Sequence, residues 1–399
     1  MKNKSVFTLM LCVLVVVTSE LQTAGMMPYV AQDINVNVGK VGILVTFYAL
    51  GMALGGPAIV FVLRKTPPKI ALVSAMLLYS LLEMLTIAHS SILWLTLFRF
   101  LTGSLSGAVF GLALSFAART ASRAEEIPKD ISFVLNGLMI GGIIGMPMSH
   151  AIAESVGWRW SFIVLGIVAA IVSGIVWVTL PSLSPANHEE DAEDRKQLRK
   201  RSLWVRYGIS LLTIGAVYAG FSFFTPVLQE ESGFSANTTS LLLLAYGLCT
   251  LIGNFAVGAI AQKAATTILF VGHTVVLISM LSIYFLSEVK LTTVVAVLAV
   301  GLLGVTMNPA LVARVAEVGG TGNMVTSMHT GVITMGVTVG TAISSLVIEK
   351  NNGVASYSGL VSVILVVMAC LLTVISLRQK DGPDPRKVDT SGVSYAALV

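Results

Sequence analysis

The chain has 399 residues, 55% of them hydrophobic and 11% charged, and a net charge of +5. Soluble domains carry about 25% charged residues, so a water-soluble surface cannot be built from this composition, and a mean hydropathy of +0.87 points to a polytopic membrane protein. The small positive charge does not indicate a nucleic-acid partner, and Cys12, Cys249 and Cys370 lie in apolar stretches without ligand spacing, so neither a disulfide framework, a metal site nor a cofactor is expected.

A bilayer crossing takes about 20 apolar residues. On that measure twelve helices are expected, over 6–30, 41–63, 70–88, 92–118, 130–154, 158–180, 207–229, 238–261, 267–287, 291–313, 323–348 and 356–377. Lys2 and Lys4 before an apolar run could open a signal peptide, but the run continues past Gly25 without a small-x-small cleavage site, so it is read as the first span. The glycines fit this class, because small residues let membrane helices approach closely.

A hydrophilic stretch, Ser182 to Arg206, separates the sixth and seventh spans. It runs acidic (Glu189, Glu190, Asp191, Glu193, Asp194) and then basic (Arg195, Lys196, Arg199, Lys200, Arg201, Arg206), and is read as a solvated linker. The expected organisation is an N-terminal six-helix bundle over 1–181, a cytoplasmic linker over 182–206, a C-terminal six-helix bundle over 207–377 and a disordered cytoplasmic tail over 378–399.

Orientation follows from the basic residues. With the N-terminus inside, Lys40, Arg159, Lys290 and Lys350 fall outside, Arg99 lies within a span, and the other twenty lysines and arginines are cytoplasmic. That bias predicts both termini in the cytoplasm.

The halves repeat at an offset of 198: Pro28 on Pro226, Asp33 on Glu231, Tyr48 on Tyr246, Leu50 on Leu248, Gly55 on Gly253 and Lys65 on Lys263. Parallel six-helix repeats related by an axis along the membrane normal are a transporter architecture.

Within the first span stands Glu20, a carboxylate that costs about 2.5–3.5 kcal/mol to insert and so is expected to have a use or a partner. Thr18-Ser19-Glu20 followed by Ala24-Gly25 and Pro28 resembles the first helix of sugar-, nucleoside- and chloramphenicol-efflux permeases. Arg99-Phe-Leu-Thr-Gly103-Ser-Leu-Ser-Gly107 is similar to the arginine motif of helix four. Gly137-Leu-Met-Ile-Gly141-Gly-Ile-Ile-Gly145-Met-Pro147, followed by Gly157-Trp158-Arg159, resembles the antiporter motif of helix five, and Gly247 to Gly258 with Gly253-Asn254 is like helix eight of arabinose-efflux permeases. On these residues the chain, over residues 5 to 377, resembles the major facilitator superfamily, and within it the twelve-span drug:proton antiporters. The resemblance implies an all-α membrane fold of two six-helix bundles in pseudo-twofold relation, with helices one, four and seven on a central cavity. Two departures stand out. The loop Leu63-Arg64-Lys65-Thr66-Pro67-Pro68-Lys69 lacks the family's aspartate, which puts its charge-relay latch in doubt. Met148-Ser149-His150 replaces the usual small residues after Pro147, which puts close helix packing there in doubt.

With these helices on one cavity, Glu20 and Arg99 form the expected proton-coupling pair. Counted at 1.5 Å per residue, Glu20 lies roughly 15 Å and Arg99 roughly 10 Å below the outer helix ends, about one turn apart. Arginine stays protonated, so a neighbouring glutamate is the titrating partner; the alternative is a static ion pair that orients the helices. Glu83, five residues from the end of the third span, is expected to reach the headgroups by snorkelling, and His89 to sit at the surface. His150, His273 and His329 are read as hydrogen-bonded interior histidines. The second half has no acid in mid-span, so coupling belongs to the first.

Gly137, Gly141 and Gly145 form one smooth helix face, with Pro147 a bend, and are assigned to helix packing or a tight gate. Gln22, Asn136, Met139, Tyr218, Phe221, Phe224, Asn254, Asn308 and His329 are candidate substrate-lining residues, with packing the competing role for the aromatics. The function expected is proton-coupled antiport exporting a small organic solute, such as a drug, sugar or nucleoside, from a monomer in the inner membrane. A facilitator or importer of the same fold is the alternative, and a membrane enzyme or receptor a remote one.

Overall fold

The computed structural model describes residues 2–121, 123, 126–185, 197–320 and 322–377. Most of the linker's charged run, Glu189 to Lys196, and the tail from Arg378 onward lie outside the described residues. No strand occurs among the described residues. The helices are α1 (Lys2–Asp33), α2 (Val38–Leu63), α3 (Pro68–Leu85), α4 (Ile92–Thr120), α5 (Ile127–Val156), α6 (Trp158–Thr179), α7 (Arg201–Glu231), α8 and α9 within Ala236–Leu286, α10 (Lys290–Gly319), α11 (Asn323–Lys350) and α12 (Tyr357–Leu377).

The segment Ala236–Leu286 is helical for 51 residues except at Ala264, where φ is −132° and ψ is 23°. A straight helix of that length would reach about 76 Å, more than twice the bilayer core of about 30 Å. It is therefore two crossings, α8 over 236–263 and α9 over 265–286. With this segment divided, the eleven long apolar segments make the twelve crossings expected from the sequence.

Local chemistry sets the joints. Pro67 and Pro68 open α3, and the fixed proline φ suits a first helical turn. The Asn37 side chain caps α2 by accepting from the Lys40 amide at 2.9 Å. Asn35 (φ 53°) and Gly157 (φ 99°) take left-handed backbone in the α1–α2 and α5–α6 turns. Single π-helical turns widen α2 at Gly51–Gly55 and α7 at Val227–Glu231.

The chain divides into two compact units, Met1–Asn187 with Ser235–Leu244, and His188–Phe234 with Ala245–Val399. In the first, Leu9, Val13 and Val16 of α1, Met76 and Tyr79 of α3, Val109 and Phe116 of α4, and Ala169 and Val172 of α6 form one buried apolar cluster. In the second, Leu203 and Tyr207 of α7 pack with Val315 and Val318 of α10 and Val325 of α11. Large apolar side chains such as Leu93, Val178 and Leu291 stand at the periphery, as lipid solvent allows.

The offset of 198 reappears in the contacts within each unit. A Cβ on Gly103 would fall on the Tyr48 carbonyl oxygen, and one on Gly301 would lie 2.9 Å from the Tyr246 carbonyl oxygen. Gly55 abuts Ser104, and Gly253 abuts Leu302. The carboxylates at the ends of α1 and α7 behave alike. Asp33 pairs with Arg159 at 2.7 Å and accepts from the Trp158 indole at 3.2 Å, at the start of α6. Glu231 accepts from the Ser356 amide at 2.7 Å, just before α12.

Candidate functional site

The polar interior of the first unit is built by α1, α3 and α4. Ser19 and Gln22 lie three residues apart, so they share one face of α1. Opposite them stand Glu83 of α3 and Arg99 of α4. Ser19, Glu83 and Arg99 are each 0% exposed and Gln22 is 1% exposed. The snorkelling expected for Glu83 is therefore incorrect. Proximity to a helix end permits escape to the headgroups only if the carboxylate faces outward, and here it faces α1.

Ser19 is the junction. Its hydroxyl donates to Glu83 Oε1 at 2.6 Å and accepts from Arg99 Nη1 at 3.1 Å. Arg99 Nη2 donates to the Ser19 carbonyl oxygen at 3.0 Å. Gln22 Nε2 donates to Glu83 Oε1 at 2.6 Å, and Gln22 Oε1 accepts from Ser161 of α6 at 3.2 Å. The Tyr79 hydroxyl reaches the same Glu83 oxygen at 3.4 Å. The Arg99 guanidinium lies over the Tyr48 ring of α2, with Cζ 4.0 Å from the ring centroid, and the Tyr48 hydroxyl donates to the Val16 carbonyl oxygen at 2.8 Å. A buried guanidinium needs such partners, because an uncompensated buried charge is strongly destabilising.

On α1 the Arg99 guanidinium meets Ser19, the residue before Glu20. Glu20, the next residue along, is half-buried. Gln22, assigned to substrate lining from the sequence, has both amide ends engaged, holding Glu83 on one side and Ser161 on the other.

At the offset of 198, Ser19, Gln22, Tyr79, Glu83 and Arg99 correspond to Val217, Gly220, Leu277, Leu281 and Val297. The repeat preserves the scaffold residues Tyr48 and Tyr246 but replaces these network positions with side chains that carry no polar group.

The glycine face of α5 lies along α1. A Cβ on Gly137 would collide with the Met10 carbonyl oxygen, whereas on Gly141 it would lie 3.1 Å from the Leu14 carbonyl oxygen and on Gly145 3.2 Å from Leu21 Cβ. Beyond Pro147 the close approach continues, because Gly25 of α1 leaves no room for a Cβ against Met146 and Ser149. The doubt raised by Met148-Ser149-His150 is thus answered by a glycine on the facing helix. His150 is buried with Nδ1 2.8 Å from Ser240 Oγ and its ring edge-on to Tyr29. Asn136 is exposed and Met139 is half-buried.

In the second unit the α7 aromatics cluster with Tyr246 of α8. Phe221 stacks on Tyr246 at 4.9 Å, Phe224 meets it edge-on at 5.6 Å, and Tyr218 meets Phe221 edge-on at 5.3 Å. Phe221 and Phe224 are buried and Tyr218 is half-buried. His329 bonds Ser210 through Nε2 at 2.8 Å and stacks on Tyr207, and His273 bonds Thr213 at 2.9 Å. These are interior hydrogen-bonded histidines, as expected, while His89 is exposed. Asn254 and Asn308 are half-buried.

Sequence reading missed Ser19 as a junction and the burial of Glu83. The available signal was spacing: Ser19 and Gln22 place two polar groups on one face of an apolar helix, which requires a polar partner.

Residues 9–328 match the family profile described as Major Facilitator Superfamily. The chain is 26% identical over 370 residues to an uncharacterized MFS-type transporter, YtbD of Bacillus subtilis, covering 89% of this chain and 91% of that protein. It is 24% identical over 346 residues to a chloramphenicol resistance protein of Streptomyces lividans, covering 84% and 87%. Among solved structures, a bacterial homolog of the human lysosomal transporter Spinster aligns with a TM-score of 0.74 over 96% of this chain and 99% of that one. At 14% identity, that likeness bears on the fold alone.

Proposed function

The chain belongs to the major facilitator superfamily, and from that premise we propose that this transporter is a proton-coupled antiporter exporting a small organic solute by alternating access. The observation that carries the reading is the fully buried Arg99, held on Ser19 beside Glu20. A permanent cation in a membrane interior is costly, and its use here is to set the proton affinity of neighbouring carboxyls. A group whose proton affinity depends on the conformation couples two fluxes through differential binding. Glu20 and Arg99 are the proposed coupling pair. The glycine face of α5 against α1 serves as a tight interface that limits leak. Gln22 orients Glu83. Asn136, Met139, Tyr218, Phe221, Phe224, Asn254, Asn308 and His329 remain proposed lining positions.

Export is favoured by the name of one relative, a chloramphenicol resistance protein. Its neutral aromatic class of solute therefore belongs in the first panel, with hydrophobic cations, sugars and nucleosides. The proposed location is the inner membrane with both termini cytoplasmic, on the strength of the lysine and arginine bias.

The test uses everted membrane vesicles with an imposed proton gradient, acid inside. An exporting antiporter accumulates solute in them, and an uncoupler abolishes the accumulation. A facilitator, the second reading, equilibrates solute equally with or without the gradient.

A further inference from the structure

We propose that Glu83 is itself a proton-binding site of this transporter, an interior carboxyl wired to Arg99 through the Ser19 hydroxyl. The proposal rests on the proton-coupled reading above. It adds a site on α3 to the pair on α1 and α4.

Three observations carry it. First, Glu83 is completely buried, and its direct donors are all neutral: Ser19, Gln22 and Tyr79. Among the described residues, the full positive charge of the network is Arg99, and its hydrogen-bond link to Glu83 runs through Ser19, which accepts from Arg99 and donates to Glu83. A structural ion pair would be expected to place the guanidinium fork directly on both carboxylate oxygens.

Second, all three donors converge on Oε1, while Oε2 is buried without a hydrogen-bond partner. An ionised carboxylate has acceptor sites on both oxygens; a neutral acid keeps one oxygen as acceptor and carries the proton on the other. Placing a proton on Oε2 leaves every contact to Oε1 in place. Uptake therefore requires no exchange of partners, and release returns the charge to an oxygen pair already oriented by Ser19.

Third, the neighbours leave few competitors. Among the described residues, Glu20 on α1, Tyr48 on α2, Tyr79 on α3 and Arg99 on α4 are the titratable or charged groups around the network; α6 contributes the neutral Ser161. Of the two carboxyls, Glu83 is fully buried and Glu20 is half-buried.

The proton balance is simple. One proton joins Glu83 Oε2 and neutralises the carboxylate, while Arg99 keeps its charge throughout. The neutral state loosens the electrostatic hold of α3 on the Ser19–Arg99 junction, and the ionised state restores it.

The experiment is infrared difference spectroscopy of the purified full-length protein across a pH titration, following the carbonyl stretch of protonated carboxyl groups. In the Glu20→Gln background, which removes the neighbouring carboxyl, the protein should show a titrating band from a desolvated carboxyl, and adding Glu83→Gln should remove it. Ser19→Ala removes a donor to the ionised form and the link to Arg99. It should keep the band and raise the proton affinity about tenfold, one pH unit. A band that survives Glu83→Gln in the Glu20→Gln background overturns the proposal, as does a Glu20→Gln protein with no titrating band. If Glu83→Gln fails to fold, an unchanged midpoint in Ser19→Ala overturns it instead. Vesicle transport separates the two claims. Gradient-driven uptake by the wild type, with a band that survives Glu83→Gln in the Glu20→Gln background, sinks the Glu83 site and leaves antiport standing. A band that depends on Glu83 without gradient-driven uptake supports the site and sinks antiport.

Discussion

Glu83 and Arg99 meet on a single hydroxyl: Ser19 Oγ donates to one at 2.6 Å and accepts from the other at 3.1 Å. Three helices are tied by that atom, so a change of charge at either end is felt on α1. Glu20 follows Ser19 immediately in the chain.

The first expectation concerns Glu20. Its amide variant, Glu20→Gln, should abolish gradient-driven accumulation in everted vesicles yet leave thermal unfolding unchanged or raised. The amide is nearly isosteric and removes an insertion cost of about 2.5–3.5 kcal/mol. Full accumulation by the variant would place coupling elsewhere.

Arg99 should distinguish charge from geometry. Arg99→Lys keeps the charge but loses the planar fork that spans the Ser19 hydroxyl and carbonyl oxygens. We expect partial transport and a stability loss of about 1.5–3 kcal/mol, the scale of one charged hydrogen bond. Arg99→Leu leaves Glu83 without its compensating charge and should cost about 3–5 kcal/mol. Equal unfolding of the two variants in denaturant would show that the fork is immaterial.

The α1–α5 seam predicts a graded series. Gly137→Ala drives a methyl into the α1 backbone and should cost about 1–3 kcal/mol. Gly142→Ala, with open space around its Cβ, should be neutral. Gly141→Leu and Gly145→Leu should damage transport far more than expression, because the side chain prises α5 from α1. Thermal unfolding in detergent and vesicle uptake check the order; a destabilised Gly142→Ala would contradict it.

The Asp33–Arg159 pair should matter little to stability. Its side chains are 35% and 41% exposed, in the order Arg159, Asp33, so Asp33→Asn should cost no more than about 1 kcal/mol. A larger loss on chemical denaturation would mean that the Trp158 contact carries more than the ion pair.

Much of the fold was legible in one dimension. Hydropathy over about 20 residues is a local quantity, so it located the crossings, and Ala264 falls in the gap left between the eighth and ninth. The repeat was legible too, because Tyr48 and Tyr246 hold equivalent positions against Gly103 and Gly301, and a tight backbone approach tolerates few residue types. Membrane insertion cost marked Glu20 and Arg99 as residues needing partners. What the linear pattern could not supply was the facing of side chains around each helix. A span in lipid is apolar on its outer face and apolar toward a packed core, so hydropathy does not distinguish inward from outward. Glu83, near a helix end, looked able to snorkel, and only the packing of α3 against Ser19 and Gln22 turned it inward. Likewise the bonds of Gln22 to Glu83 and Ser161, and the clustering of Phe221 and Phe224 with Tyr246, come from contacts between distant helices rather than from the composition of any one.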